Sequence, residues 1–106
     1  MADELEIVDV PERERYELRL GDRMIGEAAY HLSRNSKRIA FLHTEVDGSV
    51  EGRGLGSRLA AAALEDARRR GLEVVPLCPF MAHYIEHHPE VQDLVAASYR
   101  DREAPP

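Results

Sequence analysis

The sequence predicts a domain of the α+β (α/β) class: a mixed, mostly antiparallel sheet of about five strands with two to three helices. Three observations carry this expectation. Residues 5–46 hold four segments whose apolar residues alternate or bunch as in strands, parted by turn residues. Residues 55–70 switch to helical spacing, and a further short strand and helix follow them. At 106 residues the chain matches one compact domain, since two would leave neither with enough core.

The first strands are Leu5 to Val10, Tyr16 to Leu20 and Met24 to Leu32, an antiparallel meander. Gly21-Asp22 suits a tight hairpin between the second and third, and the order Gly-Asp favours a type II′ turn. Another turn falls at Arg34 to Lys37, where Asn35 tolerates positive φ. The fourth strand, Arg38 to about Val46, places Ile39, Phe41 and His43 on one face and Ala40, Leu42 and Thr44 on the other. Both faces are mostly apolar, which predicts a central position.

From Leu55 to Arg70, the residues Leu55, Leu59, Ala60, Ala63, Leu64 and Ala67 make a broad apolar stripe, with Arg58, Glu65, Asp66 and Arg69 toward water. The four successive alanines Ala60 to Ala63 permit close approach to a sheet. Gly71 suits the position after the helix, and Arg68-Arg69-Arg70 complement the negative end of its dipole, so the arginine run needs no nucleic acid to explain it. A fifth strand, Glu73 to Leu77, contains Pro76, which cannot donate a ladder hydrogen bond and marks an edge, a bulge or a place where strands part. Pro79 starts a helix, Phe80 to about His87, that is broken before Pro89. A short element around Val91 to Tyr99 closes a domain of residues 1–100, and Asp101 to Pro106 reads as a flexible tail.

Composition narrows the function classes. Hydrophobic residues form 43% and charged residues 32% of the chain, a globular balance. The formal net charge of -6 opposes general nucleic-acid binding, which needs Lys and Arg against phosphates. An amine-bearing partner suits that charge better. Cys78 is the single cysteine, so no internal disulfide can form, in keeping with a reducing, cytoplasmic setting. The acidic start Met1-Ala2-Asp3-Glu4 lacks signal-peptide features, and the longest apolar run, Leu59 to Leu64, is far too short to cross a bilayer, so no membrane association is expected.

The segment Glu51-Gly52-Arg53-Gly54-Leu55-Gly56 joins a strand to a helix. Glycines at alternate positions let backbone N–H groups approach phosphate oxygens, the helix N-terminus adds partial positive charge, and Arg53 and Arg58 add more. The P-loop is excluded because Gly56 is followed by Ser57-Arg58 rather than by lysine, and the dinucleotide fingerprint because Gly56 comes two residues after Gly54 instead of three. A plain glycine-rich turn is the alternative.

These residues resemble the GNAT acetyltransferase superfamily, whose loop reads Gln/Arg-x-x-Gly-x-Gly/Ala before a helix. Glu51 stands where that loop has Gln or Arg, so the resemblance carries a backbone role only at that position. The likeness is closer to a minimal, single-domain GNAT-like family, through His43-Thr44-Glu45-Val46, Gly52-Arg53-Gly54-Leu55-Gly56, Cys78 and His88-Pro89-Glu90, and it covers roughly residues 16 to 95. It implies a coenzyme A cleft where strands 4 and 5 splay, pantetheine pairing near Thr44, Glu45 and Val46, and pyrophosphate on amides from Gly52 to Ser57. Acetyl-CoA would be the cofactor and an amine the acceptor.

Acyl transfer to an amine needs an acceptor for the amine proton, stabilisation of an oxyanion and a proton for the leaving thiolate. Cys78 precedes Pro79 and falls at a helix N-cap, where a dipole favours thiolate; it reads either as acyl acceptor or proton relay, or as a small buried hydrophobe. His43, late on the fourth strand, reads as a base or as a partner of Cys78, or as a packed histidine. Tyr84 lies where many GNAT enzymes place a tyrosine that protonates the coenzyme sulfur, and core packing is the other reading. Glu27 and Glu45 could be bases, though ordinary strand charge explains them. His83 and His87 share a helix face, yet position 84 is Tyr84 rather than the Glu of a zincin, and no metal is expected. A non-catalytic coenzyme A-binding or protein-interaction module is the competing function, and neither the acceptor nor the oligomeric state follows from the sequence.

Overall fold

The computed structural model describes residues 4–48, 54–97 and 99. Strands β1 (Leu5–Val10), β2 (Arg15–Leu20), β3 (Arg23–Leu32), β4 (Arg38–Val46) and β5 (Glu73–Pro76) form one sheet in the order β1-β2-β3-β4-β5. The first four pair antiparallel and β4 pairs parallel with β5. Helix α1 (Leu55–Arg69) connects these last two, and α2 (Pro79–Glu86) and a 3-10 helix, Pro89–Leu94, complete the domain. The α+β class, the five mixed strands and the helix count agree with the sequence expectation.

Turn chemistry sets the hairpins. Gly21 takes φ 61 while Asp22 stays at negative φ, as the type II′ preference requires and type I′ does not. A 3-10 turn at Pro11–Arg13, ending in left-handed Glu14, joins β1 to β2. Before β4 the left-handed residue is Ser36, not Asn35. The Asn35 side chain instead works as an acceptor, its Oδ1 receiving the Ser33 hydroxyl at 2.7 Å and the Lys37 N–H at 3.1 Å, and this shifts the positive φ one residue along.

Helices α1 and α2 cover one face of the sheet. Tyr16, Leu18, Ala28, Tyr30, Ile39 and Phe41 meet the full apolar stripe of α1, together with Met81 and Ile85 of α2. Of the four alanines, Ala60 and Ala63 are fully buried and Ala61 faces water, so the close approach uses the two on the stripe. Polar contacts fasten the end of α1: the Tyr16 hydroxyl donates to Asp66 at 2.6 Å, Tyr30 donates to Asp9 at 2.6 Å, and Arg70 reaches both carboxylates. Arg69 also binds Asp66, and Arg68 binds Asp93 with two nitrogens and the Glu90 carbonyl. All three arginines of the run therefore hold the fold. No helix among the described residues is long and apolar enough to cross a membrane.

Candidate functional site

Pairing of β4 with β5 stops at Phe41 opposite Pro76, as a residue without an N–H would dictate. The Leu77 N–H turns back to the Val75 carbonyl, and the Cys78 N–H makes a last bond to the Phe41 carbonyl at 2.9 Å. Beyond this point β4 runs on to Val46 against β3, while the chain after β5 departs into α2. The strands thus part along Leu42 to Val46.

Cys78 lies at this parting, as the N-cap of α2 and 3% exposed. Its side chain does not cap the helix. The thiol instead donates to Thr44 Oγ1 at 3.4 Å, across the gap. Thr44, expected to contribute backbone alone, therefore also positions a side chain.

His43 lies on the other face. Ala29 pairs with His43 and Tyr30 with Phe41, so Leu42 is an extra residue, a β-bulge. The bulge reverses the alternation: Thr44, opposite buried Ala28, joins Ile39 and Phe41 on the helix side, and His43 turns outward with Glu45. The expected grouping of His43 with Ile39 and Phe41 fails for this reason, and a Cys78–His43 pair is not assembled. His43 Nε2 lies 3.0 Å from Glu45 Oε1.

Glu45 heads a row of carboxylates, since Glu17, Glu27 and Glu45 are cross-strand neighbours on the open face. Arg15 bridges Glu17 and Glu27, and Arg19 joins Glu17, holding the buried Glu17 carboxyl below its ordinary value despite the opposing effect of burial. A cavity of about 410 Å³ opens beside the row, lined by Met24 to Glu27 and Glu45 to Gly48.

At the start of α1, Gly54 is the N-cap at φ 70, a conformation that suits glycine. The first-turn amides of Leu55, Gly56 and Ser57 have no intrahelical acceptor, and Arg58 is exposed beside them. A Cβ on Gly56 would sit 2.8 Å from the Phe80 ring, so this glycine lets the first turns of α1 and α2 touch. Gly52 and Arg53, also expected at the site, lie outside the described residues. Tyr84 is half-buried on α2 and stacks on His88 with ring centroids 3.8 Å apart. Burial, and then the charge of Glu90, raise its phenol above the ordinary tyrosine value.

The sequence profile of the GCN5-related N-acetyl-transferase family matches residues 15–94. The chain belongs to this family. Among solved structures, this GNAT domain is similar to a GCN5-like protein of Staphylococcus aureus determined in solution by NMR, at 27% identity over 91% of each chain and a TM-score of 0.69. A ribosomal-protein-alanine N-acetyltransferase from Brucella melitensis biovar Abortus 2308 shares the fold at 17% identity and a TM-score of 0.53, over 78% of this chain and 61% of that one. Comparison with curated proteins returned no match.

Proposed function

We propose that this GNAT domain is an N-acetyltransferase that takes its acetyl group from acetyl-CoA and delivers it to an amine. The observation that carries the reading is the parting of β4 from β5 at Phe41 and Pro76, with a buried thiol on its wall. Two features fit the cofactor. The edge of β4 at Thr44, Glu45 and Val46, no longer held by β5, offers backbone groups to an amide-bearing pantetheine arm. The open amides of Leu55, Gly56 and Ser57, with Gly54 before them and Arg58 beside them, suit a pyrophosphate; Gly52 and Arg53 complete that loop in sequence. When bound, acetyl-CoA supplies a thioester carbonyl open to attack by an amine.

The remaining work falls to side chains on two faces. His43, oriented by Glu45, accepts a proton at an imidazole nitrogen on the open face, and Glu27, Glu45 and Asp47 along the cavity suit an amine-bearing acceptor. Cys78 Sγ holds a proton at the parting, oriented by Thr44. Tyr84, a phenol whose proton burial holds more tightly, is a second hydroxyl donor on the same helix. Separation of His43 from Cys78 by the sheet favours direct transfer over a route in which the histidine activates the thiol.

The test combines binding with turnover. Coenzyme A and acetyl-CoA should raise the melting temperature, and a panel of amines should yield a product 42 Da heavier by mass spectrometry, the increment of roughly one acetyl group in place of hydrogen by the mass balance of acyl transfer. A thermal shift with no acetylated amine would favour a non-catalytic coenzyme A-binding module. No shift at all would sink the reading.

A further inference from the structure

His83, Glu86 and His87 stand together on the exposed last turn of α2, and one ligand atom from each lies within 4.8 Å of the other two. The pattern is His-x-x-Glu-His, at spacings of three and four residues, which a helix brings onto one face. The carboxylate missing at position 84 is therefore present at position 86. We propose that these three side chains form a transition-metal site of the Zn2+ class, separate from the coenzyme A cleft.

Four features support chelation. The two imidazole rings are neighbours, with centroids 4.3 Å apart and planes tilted by 44°. His87 Nδ1 lies 3.0 Å from the His83 carbonyl, which can only accept, so Nδ1 carries the hydrogen and Nε2 keeps its lone pair for a metal. Metal-bound histidines commonly have their other nitrogen held in this way. The site lies at the helix C-terminus, where the dipole favours a cation. Finally, no cation pairs with Glu86 among the described residues. Tetrahedral zinc needs donors about 3.3 Å apart, from metal–ligand distances of about 2.0–2.1 Å, and three exposed side chains can close to that spacing by rotating.

The donor set selects the metal. Two imidazoles with one carboxylate favour Zn2+ and its neighbours over Ca2+ or Mg2+, which take oxygen ligands. Three protein ligands leave a fourth position for water. Among the described residues the other cluster of this kind, Glu27 with His43 and Glu45, is a poorer host because the Arg15 guanidinium already lies 3.2 Å from Glu27 Oε1.

The experiment is calorimetric titration of ZnCl2 into untagged full-length protein near neutral pH. One Zn2+ per chain is expected. His83→Ala and His87→Ala should each weaken binding by at least about tenfold and Glu86→Gln by less, since one of three ligands is lost or loses its charge. Ca2+ and Mg2+ should not compete. His43→Ala and Cys78→Ala should bind as the parent does. Unchanged affinity in His83→Ala and His87→Ala, loss of binding in His43→Ala or Cys78→Ala, or no Zn2+ uptake by the parent would each overturn the proposal. Circular dichroism of each variant separates loss of ligands from loss of α2.

Discussion

The Cys78 thiol and the Thr44 hydroxyl face each other across the parting of β4 and β5, 3.4 Å apart, and give the gap a polar contact. If the thiol supplies the proton required there, Cys78→Ala should lower kcat roughly a hundredfold or more, the usual range for a positioned acid. Thr44→Val, nearly the same shape, should lower it less. Both should keep the fold by circular dichroism. Wild-type kcat in Cys78→Ala would remove the cysteine from the chemistry.

His43 is exposed and lies opposite Ala29 on the open face, so truncating it disturbs no packing. His43→Ala should change unfolding free energy by no more than about 0.5 kcal/mol. Its effect should fall on kcat/KM, which should drop roughly a hundredfold if the imidazole accepts the amine proton. A variant with the parental kcat/KM would place the base elsewhere.

Tyr16 and Tyr30 are each buried beside a carboxylate, and burial followed by the hydrogen bonds to Asp66 and Asp9 pushes both phenols far above the ordinary tyrosine value. Their contribution is complete below about pH 10, where the unfolded phenol is still protonated. Above it the unfolded chain releases protons that the folded chain retains. Stability should therefore fall on the alkaline side by about 1.4 kcal/mol per pH unit for each tyrosine. Tyr16→Phe should cost about 1–2 kcal/mol at neutral pH and reduce that alkaline slope, as urea unfolding at several pH values would read.

Acid acts through the opposite group. The Asp66 carboxyl lies below its ordinary value because hydrogen bonds from Tyr16, Arg69 and Arg70 outweigh burial, which acts in the other direction. Stability from Asp66 is present above the ordinary aspartate value near 3.9 and is lost as pH falls through the lower folded value. Asp66→Asn should thus be less stable than the parent at neutral pH and approach it in strong acid.

Gly56 and Phe80 form a tight contact between the two helix starts. Alanine at Gly56 would gain up to about 1 kcal/mol of helix propensity, but its Cβ would strike the ring at 2.8 Å. The substitution should stabilise the Phe80→Ala background more than the parent, by at least about 0.5 kcal/mol in a double-mutant cycle. Additive effects would show that the half-exposed ring simply swings aside.

Local pattern was enough for most of the fold. Gly21-Asp22, the Leu55–Ala67 stripe, Gly71 and Pro79 each state a turn, a helix face or a helix end through neighbours within one or two turns, and the structure places those elements within one to a few residues of expectation. Pro76 likewise signalled an edge, a bulge or a parting of strands, because a missing N–H is a property of the residue itself, and the parting is what the structure has, with β5 ending there rather than at Leu77. The 3-10 turn at Pro11–Arg13 had no such statement beyond its proline.

The site was less legible. Nothing around Leu42 announces a bulge, since it carries no glycine or proline and both faces of β4 read as apolar; the slip appears only in the pairing, where Leu42 falls between the Ala29–His43 and Tyr30–Phe41 partners. The contact of Thr44 with Cys78 spans 34 residues, and that of Tyr16 with Asp66 spans 50. By itself the sequence determined the elements, their order and the residue types able to bind a phosphate or move a proton, because short-range sterics and hydrogen bonding decide those. Tertiary structure alone decided that Thr44 faces Cys78 while His43 faces Glu45, because one extra residue between two paired strands turns every later side chain to the opposite face.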